Sequence, residues 1–348
     1  MQKWIALSLS LLLAQLLGCA ASPAAETEAQ LTRFELSHPQ MGTMFQLVIY
    51  GEEEQAVKAA AAAAFARIDE LNATLSDYDR KSELSKLSDA AGNGQWVKVS
   101  DDLWTVLRIS DEYSRKSGGA FDITVGPVVQ LWRWARRNRQ MPSAERLRAA
   151  VAAVGHEKIE YDTKSQSVRL TQPNMRLDAG AIGKGYACDE VIKLLKAKGF
   201  SRVMIDGGGG VVVGDAPPGR AGWRIGIASL DPRNEPPSQY VILKNAAIST
   251  SGDAWQFVEL EGKRYSHIVD RNTGLGLTDH SSVSIVAPTG TLSDVLSTTV
   301  AVLGPEKGLQ FVEKIEGVAA FIVRKPGDQV QVFESKSVKK LTIEAAKN

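Results

Sequence analysis

Cysteine and histidine are scarce in this 348-residue chain, with two of the first and four of the second. The two cysteines, Cys19 and Cys188, give no disulfide framework, which excludes the small stapled class of secreted domain. Charge of one sign is also lacking: 41 basic and 40 acidic residues leave a formal net charge of +1. No global field draws the chain to nucleic acid, and no basic tail or arginine-rich block does so locally. Long hydrophobic runs are absent as well. The apolar stretch from Trp4 to Leu13 is too short and too early for a stable transmembrane helix. No internal repeat, linker or low-complexity break divides the sequence into independent units.

What remains is 44% hydrophobic and 23% charged, enough to bury the core of one large domain or two intimate ones. Lys3 supplies a positive start, and the apolar run leads to Leu16-Leu17-Gly18-Cys19-Ala20. This reads as a secretory signal. A cysteine closing a Leu-x-Gly-Cys box is similar to a bacterial lipoprotein signal, with an ordinary secretion signal and a chance cysteine as the alternative. The lipoprotein reading makes residues 1–18 a signal peptide and Cys19 the lipidated residue. Each buried methylene of its chains contributes about 0.8 kcal/mol of anchoring. Residues 19–32 become a flexible tether, and 33–348 the folded domain. The expected location is a bacterial membrane, facing the periplasm. Ala20 leaves inner and outer membrane undecided. Cys188 then has no partner and no local histidine, and reads as a small buried hydrophobe.

The periodicities alternate between helix and strand in blocks. Residues 33–50 read as two strands split by Met41-Gly42-Thr43. Residues 53–74 form an alanine-rich amphipathic helix with Ala60, Ala64, Ile68 and Leu71 on one stripe. Further helices are expected over 101–117, after the Phe121–Pro127 loop to about Arg139, after a Ser143 cap, and up to Lys198. Strands are expected near 158–161, 167–171, 202–206 and 211–214. A run of strands covers 223–287, then helices 291–303 and 305–315, then strands 318–324 and 329–334. Blocks of helices and runs of strands, without strict βαβ alternation, define the α+β class.

Several segments carry chemistry. Tyr265-Ser266-His267-Ile268-Val269-Asp270, followed by Thr273-Gly274, sets a histidine among polar groups where a strand gives way to a turn. The polar knot Ser249-Thr250-Ser251-Gly252-Asp253 lies just upstream. Such strand ends suit an anionic, phosphate-bearing ligand and a metal better than a core. His267 is favoured for proton transfer or phosphate contact; His38, His156 and His280 read as incidental. Gly180-x-x-Gly183-Lys184-Gly185 departs from a Walker A loop at Asp178 and Gly185. It fits an anion at a helix start with Lys184 as point charge, and equally a tight turn with a surface lysine. Asp294 and Thr298 share a helix face at i, i+4 and suit one hard cation, or a plain helix start. Gly207 to Gly210 permits close approach to a ligand, or a tight turn.

Taken in order, these segments resemble the ApbE family of flavin transferases, the FAD:protein FMN transferases. The resemblance spans about residues 34–335. It rests on Met41-Gly42-Thr43, Ser76-Asp77-Tyr78-Asp79 with Ser82-Glu83-Leu84, and Phe121 through Pro127. It continues through Leu177-Asp178 to Gly185-Tyr186, Ile248 to Asp253, Tyr265 to Gly274, and Ser293-Asp294 to Thr298. The resemblance implies a single large domain of mixed and antiparallel sheets flanked by helices. It also implies a magnesium-dependent enzyme that takes FAD as substrate. FMN goes to a threonine or serine hydroxyl of a target flavoprotein, in subunits of membrane electron-transfer complexes, and AMP leaves. By the same resemblance Asp294, Thr298 and the carbonyl of Ala181 hold the metal. Met41 and Tyr78 contact flavin or adenine. Asp122 and Lys184 sit in FAD-binding loops, Gly207 and Gly208 line the ligand, and His267 with Lys184 is catalytic. The sequence departs from the family pattern at Ile123, at Asp270-Arg271-Asn272, and after the Gly207–Gly210 run, where an acidic or amide residue is often found. The last departure leaves ribose or adenine contacts there open. Two other functions stay open on sequence alone: a periplasmic FAD pyrophosphatase giving FMN and AMP, and a non-catalytic flavin-binding lipoprotein.

Overall fold

The computed structural model describes residues 31–346 apart from 233 and 255. The signal-peptide and lipid-box expectations fall on residues outside the described ones, as does all but the end of the tether.

The organising element is one eight-stranded sheet. Its strands are Thr32–Gln40, Thr43–Gly51, Val203–Asp206, Gly210–Val213, Ala246–Gly252, Ser281–Ala287, Ala319–Arg324 and Gln331–Glu334. They lie side by side in chain order, and every pair is antiparallel. The first two form a hairpin with Gln40 opposite Thr43. Its corner residues Met41 and Gly42 have φ of 50° and 72°. Positive φ at both corner positions matches the right-handed twist of the flanking strands.

Side chains alternate across this sheet with period two, and both faces are covered. Leu47, Val212, Ala247 and Ile285 point to the helical side. Their neighbours Val48, Val213, Ile248 and Val286 point to the opposite side, where Trp223, Val241 and Leu243 cover them. The cover on that side is a small sheet of Trp223–Gly226, Gln239–Leu243 and Ile343–Ala345.

The helices are α1 (Glu54–Leu75), α2 (Glu83–Asp89), α3 (Asp101–Lys116), α4 (Gly126–Asn138), α5 (Ala144–Ala152), α6 (Gly183–Ala197) and α7 (Gly290–Val312), of which α4 packs with α5 and with the segment 257–266 rather than on the large sheet. The stripe of α1 is as the periodicity predicts, with Ala60, Ala64, Ile68 and Leu71 all buried. Ser143 caps α5 by accepting the Arg146 amide at 3.3 Å. The two helices expected at 291–303 and 305–315 are two segments of α7. Gly304 breaks it with φ 74° and ψ 173° just before Pro305, which cannot continue the hydrogen-bond ladder. The segments 257–260 and 263–266 form a separate hairpin that ends one residue before His267. Helix α2 and the strand Ile343–Ala345 had no periodic signal, being too short to show one. The architecture is α+β, with mixed helices and antiparallel sheet.

Candidate active site

Helices α6 and α7 meet at their N-termini on the helical face of the sheet. Glycine permits this approach: a Cβ on Gly185 would lie 2.2 Å from the Gly290 carbonyl oxygen. Each helix then supplies a carboxylate to the other. Asp189 of α6 accepts the amides of Gly290 and Thr291 at 2.7 and 2.8 Å, and the Thr291 hydroxyl at 2.5 Å. Asp294 of α7 accepts the Gly185 amide at 3.0 Å through Oδ2. These bonds satisfy helix N-terminal amides that have no partner within their own helix.

The Gly185 amide goes to Asp294 rather than to the carbonyl four residues back, that of Ala181. The half-buried Asp294 therefore keeps its second oxygen, the Ala181 carbonyl is spared a helical donor, and Thr298 stands one turn further along α7. A carboxylate oxygen, a carbonyl and a hydroxyl are hard donors of the kind magnesium selects. Among the described residues no cluster of three or more His, Cys, Asp or Glu side chains could hold a metal. Any cation here would rely on one carboxylate together with backbone, hydroxyl and ligand oxygens. Burial pushes the Asp294 carboxyl above its ordinary range, while the Lys184 ammonium and the Gly185 amide pull the other way.

Lys184 links this pair to the histidine. Its Nζ donates to the Gly180 carbonyl at 3.3 Å, and its charge acts on both Asp294 and His267. The His267 ring donates through Nδ1 to the Gln256 carbonyl at 3.1 Å, since a carbonyl can only accept. Nε2 is thereby left with its lone pair. Protein atoms crowding the ring, and the charges of Lys184 and Arg136, push its pKa down to about 4. The residue keeps an exposed surface, and solvent there moderates this shift. The imidazole is a neutral base at neutral pH.

Tyr78 is 73% exposed, yet its ring is held. The Arg133 guanidinium lies 4.0 Å from its centroid. Arg133 also pairs with Asp77, and with Asp178 at 3.1 Å. Asp178 in turn accepts the Gly180 amide at 2.7 Å, so the platform and the Lys184 loop share one ion-pair network. Burial and the nearby Asp178 push the Asp77 carboxyl up, against the pull of Arg133.

The remaining expected contacts divide. Gly208 abuts Thr43, the residue after the Met41-Gly42 corner, where a Cβ on Gly208 would lie 1.9 Å from Thr43 Oγ1. Gly207 packs on Phe45 and on the Cys188 sulfur. Cys188 is buried and burial pushes its thiol well up, which agrees with an inert core residue. Asp122 uses both oxygens within the protein. It accepts the Thr124 amide and hydroxyl, the His156 amide, and Arg271 Nη1 at 2.6 Å. It therefore fixes the turn after His267 through Arg271, at the position where the sequence departs from the family pattern.

The polar knot is more structural than its composition suggested. Ser249 bonds Ser293 at 2.7 Å, and Thr250 bonds Ser284 at 2.7 Å. The buried Asp253 pairs with Arg264, and with His280 at 2.6 Å, so His280 is not incidental. Sequence reasoning also missed Asp189 and Arg133, whose roles depend on residues distant in the chain.

An antiparallel sheet carrying a carboxylate, an ammonium and a neutral histidine beside crossed helix N-termini is the scaffold of an enzyme. The chain belongs to the ApbE family, whose model matches residues 41–322. It is 31% identical over 327 residues to the FAD:protein FMN transferase of Klebsiella pneumoniae (strain 342), covering 91% of each chain. It is 32% identical over 282 residues to that of Haemophilus influenzae, covering 79% of this chain and 81% of the relative. The solved flavin transferase ApbE from Vibrio cholerae superposes with a TM-score of 0.80 at 26% identity, over 90% of this chain and all of that one. The apo flavinyl transferase ApbE of Pseudomonas stutzeri gives 0.78 at 28% identity, over 89% and 97%.

Proposed function

We propose that this enzyme transfers FMN from FAD to a threonine or serine hydroxyl of a target flavoprotein, releasing AMP. The observation that carries this reading is the histidine tautomer. With Nδ1–H committed to the Gln256 carbonyl, Nε2 of His267 can take the proton of an incoming hydroxyl. The hydroxyl oxygen bonds to the FMN phosphorus, the anhydride P–O bond breaks, and AMP carries off the electron pair. Lys184 offsets negative charge on the phosphates. Asp294, Thr298 and the Ala181 carbonyl would hold a magnesium ion, which would neutralise pyrophosphate charge when bound. Tyr78, braced by Arg133, offers a π face to the flavin or adenine ring.

The chain is proposed to act in the periplasm, tethered to a membrane by lipid on Cys19. Subunits of membrane electron-transfer complexes are its proposed acceptors. The test is mass spectrometry of an acceptor subunit after incubation with enzyme, FAD and magnesium. Covalent addition of FMN is expected. Free FMN and AMP with an unmodified acceptor would instead mean hydrolysis.

A further inference from the structure

The helical face of the strand Ala246–Gly252 meets α7 through two rungs of hydroxyls. Residues two apart on a strand are separated by roughly 6.6 Å, and residues four apart on a helix by roughly 6 Å. Ser249 and Ser251 therefore match Ser293 and Ser297. The bonds measure 2.7 Å for Ser249 to Ser293 and 2.8 Å for Ser251 to Ser297.

Each hydroxyl has one proton, and that fixes the direction of every bond. Ser293 donates to the Gly290 carbonyl at 3.0 Å, so Ser249 must donate to Ser293. That rung ends on the Gly290 carbonyl and reaches no candidate ligand residue. Ser297 donates to the Asp294 carbonyl at 2.9 Å, so Ser251 must donate to Ser297. Ser251 has then no proton left for its second partner, Thr298, 3.1 Å away. Thr298 must donate to Ser251. The second rung is thus a one-way chain from Thr298 through Ser251 and Ser297 to the backbone of Asp294.

We propose that Ser251 is a positioning residue for the cation site: it draws the Thr298 proton away from the site and leaves the Thr298 lone pairs facing it. A hydroxyl with its proton turned inward would repel a cation; one with its proton drawn off is a hard oxygen donor. The chain ends on the backbone carbonyl of Asp294, so it joins the Thr298 side chain to the main chain of the other ligand residue. The inference rests on the cation reading of Asp294 and Thr298 given above.

The test is direct cation binding, with Mn2+ as the probe, followed by its paramagnetic resonance signal in the mature protein with and without FAD. Ser251→Ala is expected to weaken Mn2+ binding about tenfold, the scale of losing an outer partner of a metal ligand. Ser251→Thr keeps the hydroxyl and restores binding. Ser249→Ala breaks the first rung and leaves Mn2+ binding as in wild type. Should Ser251→Ala fail to fold, Ser297→Cys is used in its place, with weaker binding expected because its thiol is a poor terminus for the chain. Wild-type Mn2+ affinity in Ser251→Ala, with binding lost in Asp294→Asn, overturns the role of Ser251 alone. Wild-type affinity in Asp294→Asn overturns the cation reading beneath it.

Discussion

Asp189 and Asp294 cap each other's helices. Asp189 takes the first two amides of α7, and Asp294 returns the bond to the Gly185 amide of α6. The relationship places a carboxylate with one uncommitted oxygen at the crossing of two helix N-termini, where the macrodipoles favour negative charge. It also ties the geometry of the site to the packing of the helices.

Asp294→Asn keeps an oxygen for the Gly185 amide and removes the charge. The fold is expected to survive and magnesium-dependent transfer to be abolished. Circular dichroism and a transfer assay check the two halves separately, and FMN transfer at the wild-type rate would remove Asp294 from the cation site.

Loss of the base in His267→Asn is expected to lower kcat by about 10²–10⁴ with a smaller change in KM. The wild-type rate is expected to hold well below the ordinary histidine range as pH falls, because the neutral form persists. The folded-state pKa lies below the unfolded one, so stability from this group is full above the unfolded value and declines as pH falls toward the folded one. An unchanged pH–rate profile in the variant would exclude His267 as the base.

Replacing Arg133 strands two carboxylates, Asp77 and Asp178, in a partly buried setting. Arg133→Met is expected to cost about 3 kcal/mol in denaturant unfolding and to raise KM for FAD as Tyr78 loses its brace. Arg133→Lys restores little, because an ammonium cannot bridge both acids and stack on the ring together. Full recovery by lysine would show that only charge matters here.

A methyl group on Gly185 would collide with the Gly290 backbone and with Asp294 Cβ, at 2.2 and 2.8 Å. Backbone cannot move aside as a flexible side chain can. Gly185→Ala is expected to destabilise by about 1–3 kcal/mol and to weaken Mn2+ binding by parting α6 from α7. Wild-type binding with wild-type stability would contradict the close crossing.

The long periodic segments were legible locally. The stripe of α1, the hairpin around Met41-Gly42 and the break before Pro305 follow from period, turn chemistry and the missing proline N–H. The ordered series of motifs singled out His267, Lys184, Asp294 and Thr298 as candidate site residues. Contacts between distant segments were not legible. Ser249 and Asp253 read as ligand groups because a polar strand end has no visible partner in one dimension. The Ser249 hydroxyl finds Ser293, and the Asp253 carboxylate finds Arg264 and His280, lying 44, 11 and 27 residues away. Arg133 lies 56 residues from Asp77 and 45 from Asp178, and neither separation marks a pair. By itself the sequence determined most of the long helices and strands and marked the candidate site residues, since both depend on neighbours in the chain. Only the tertiary structure decided which polar groups are satisfied internally and which keep a lone pair, because a hydrogen bond is settled by distance and direction in space.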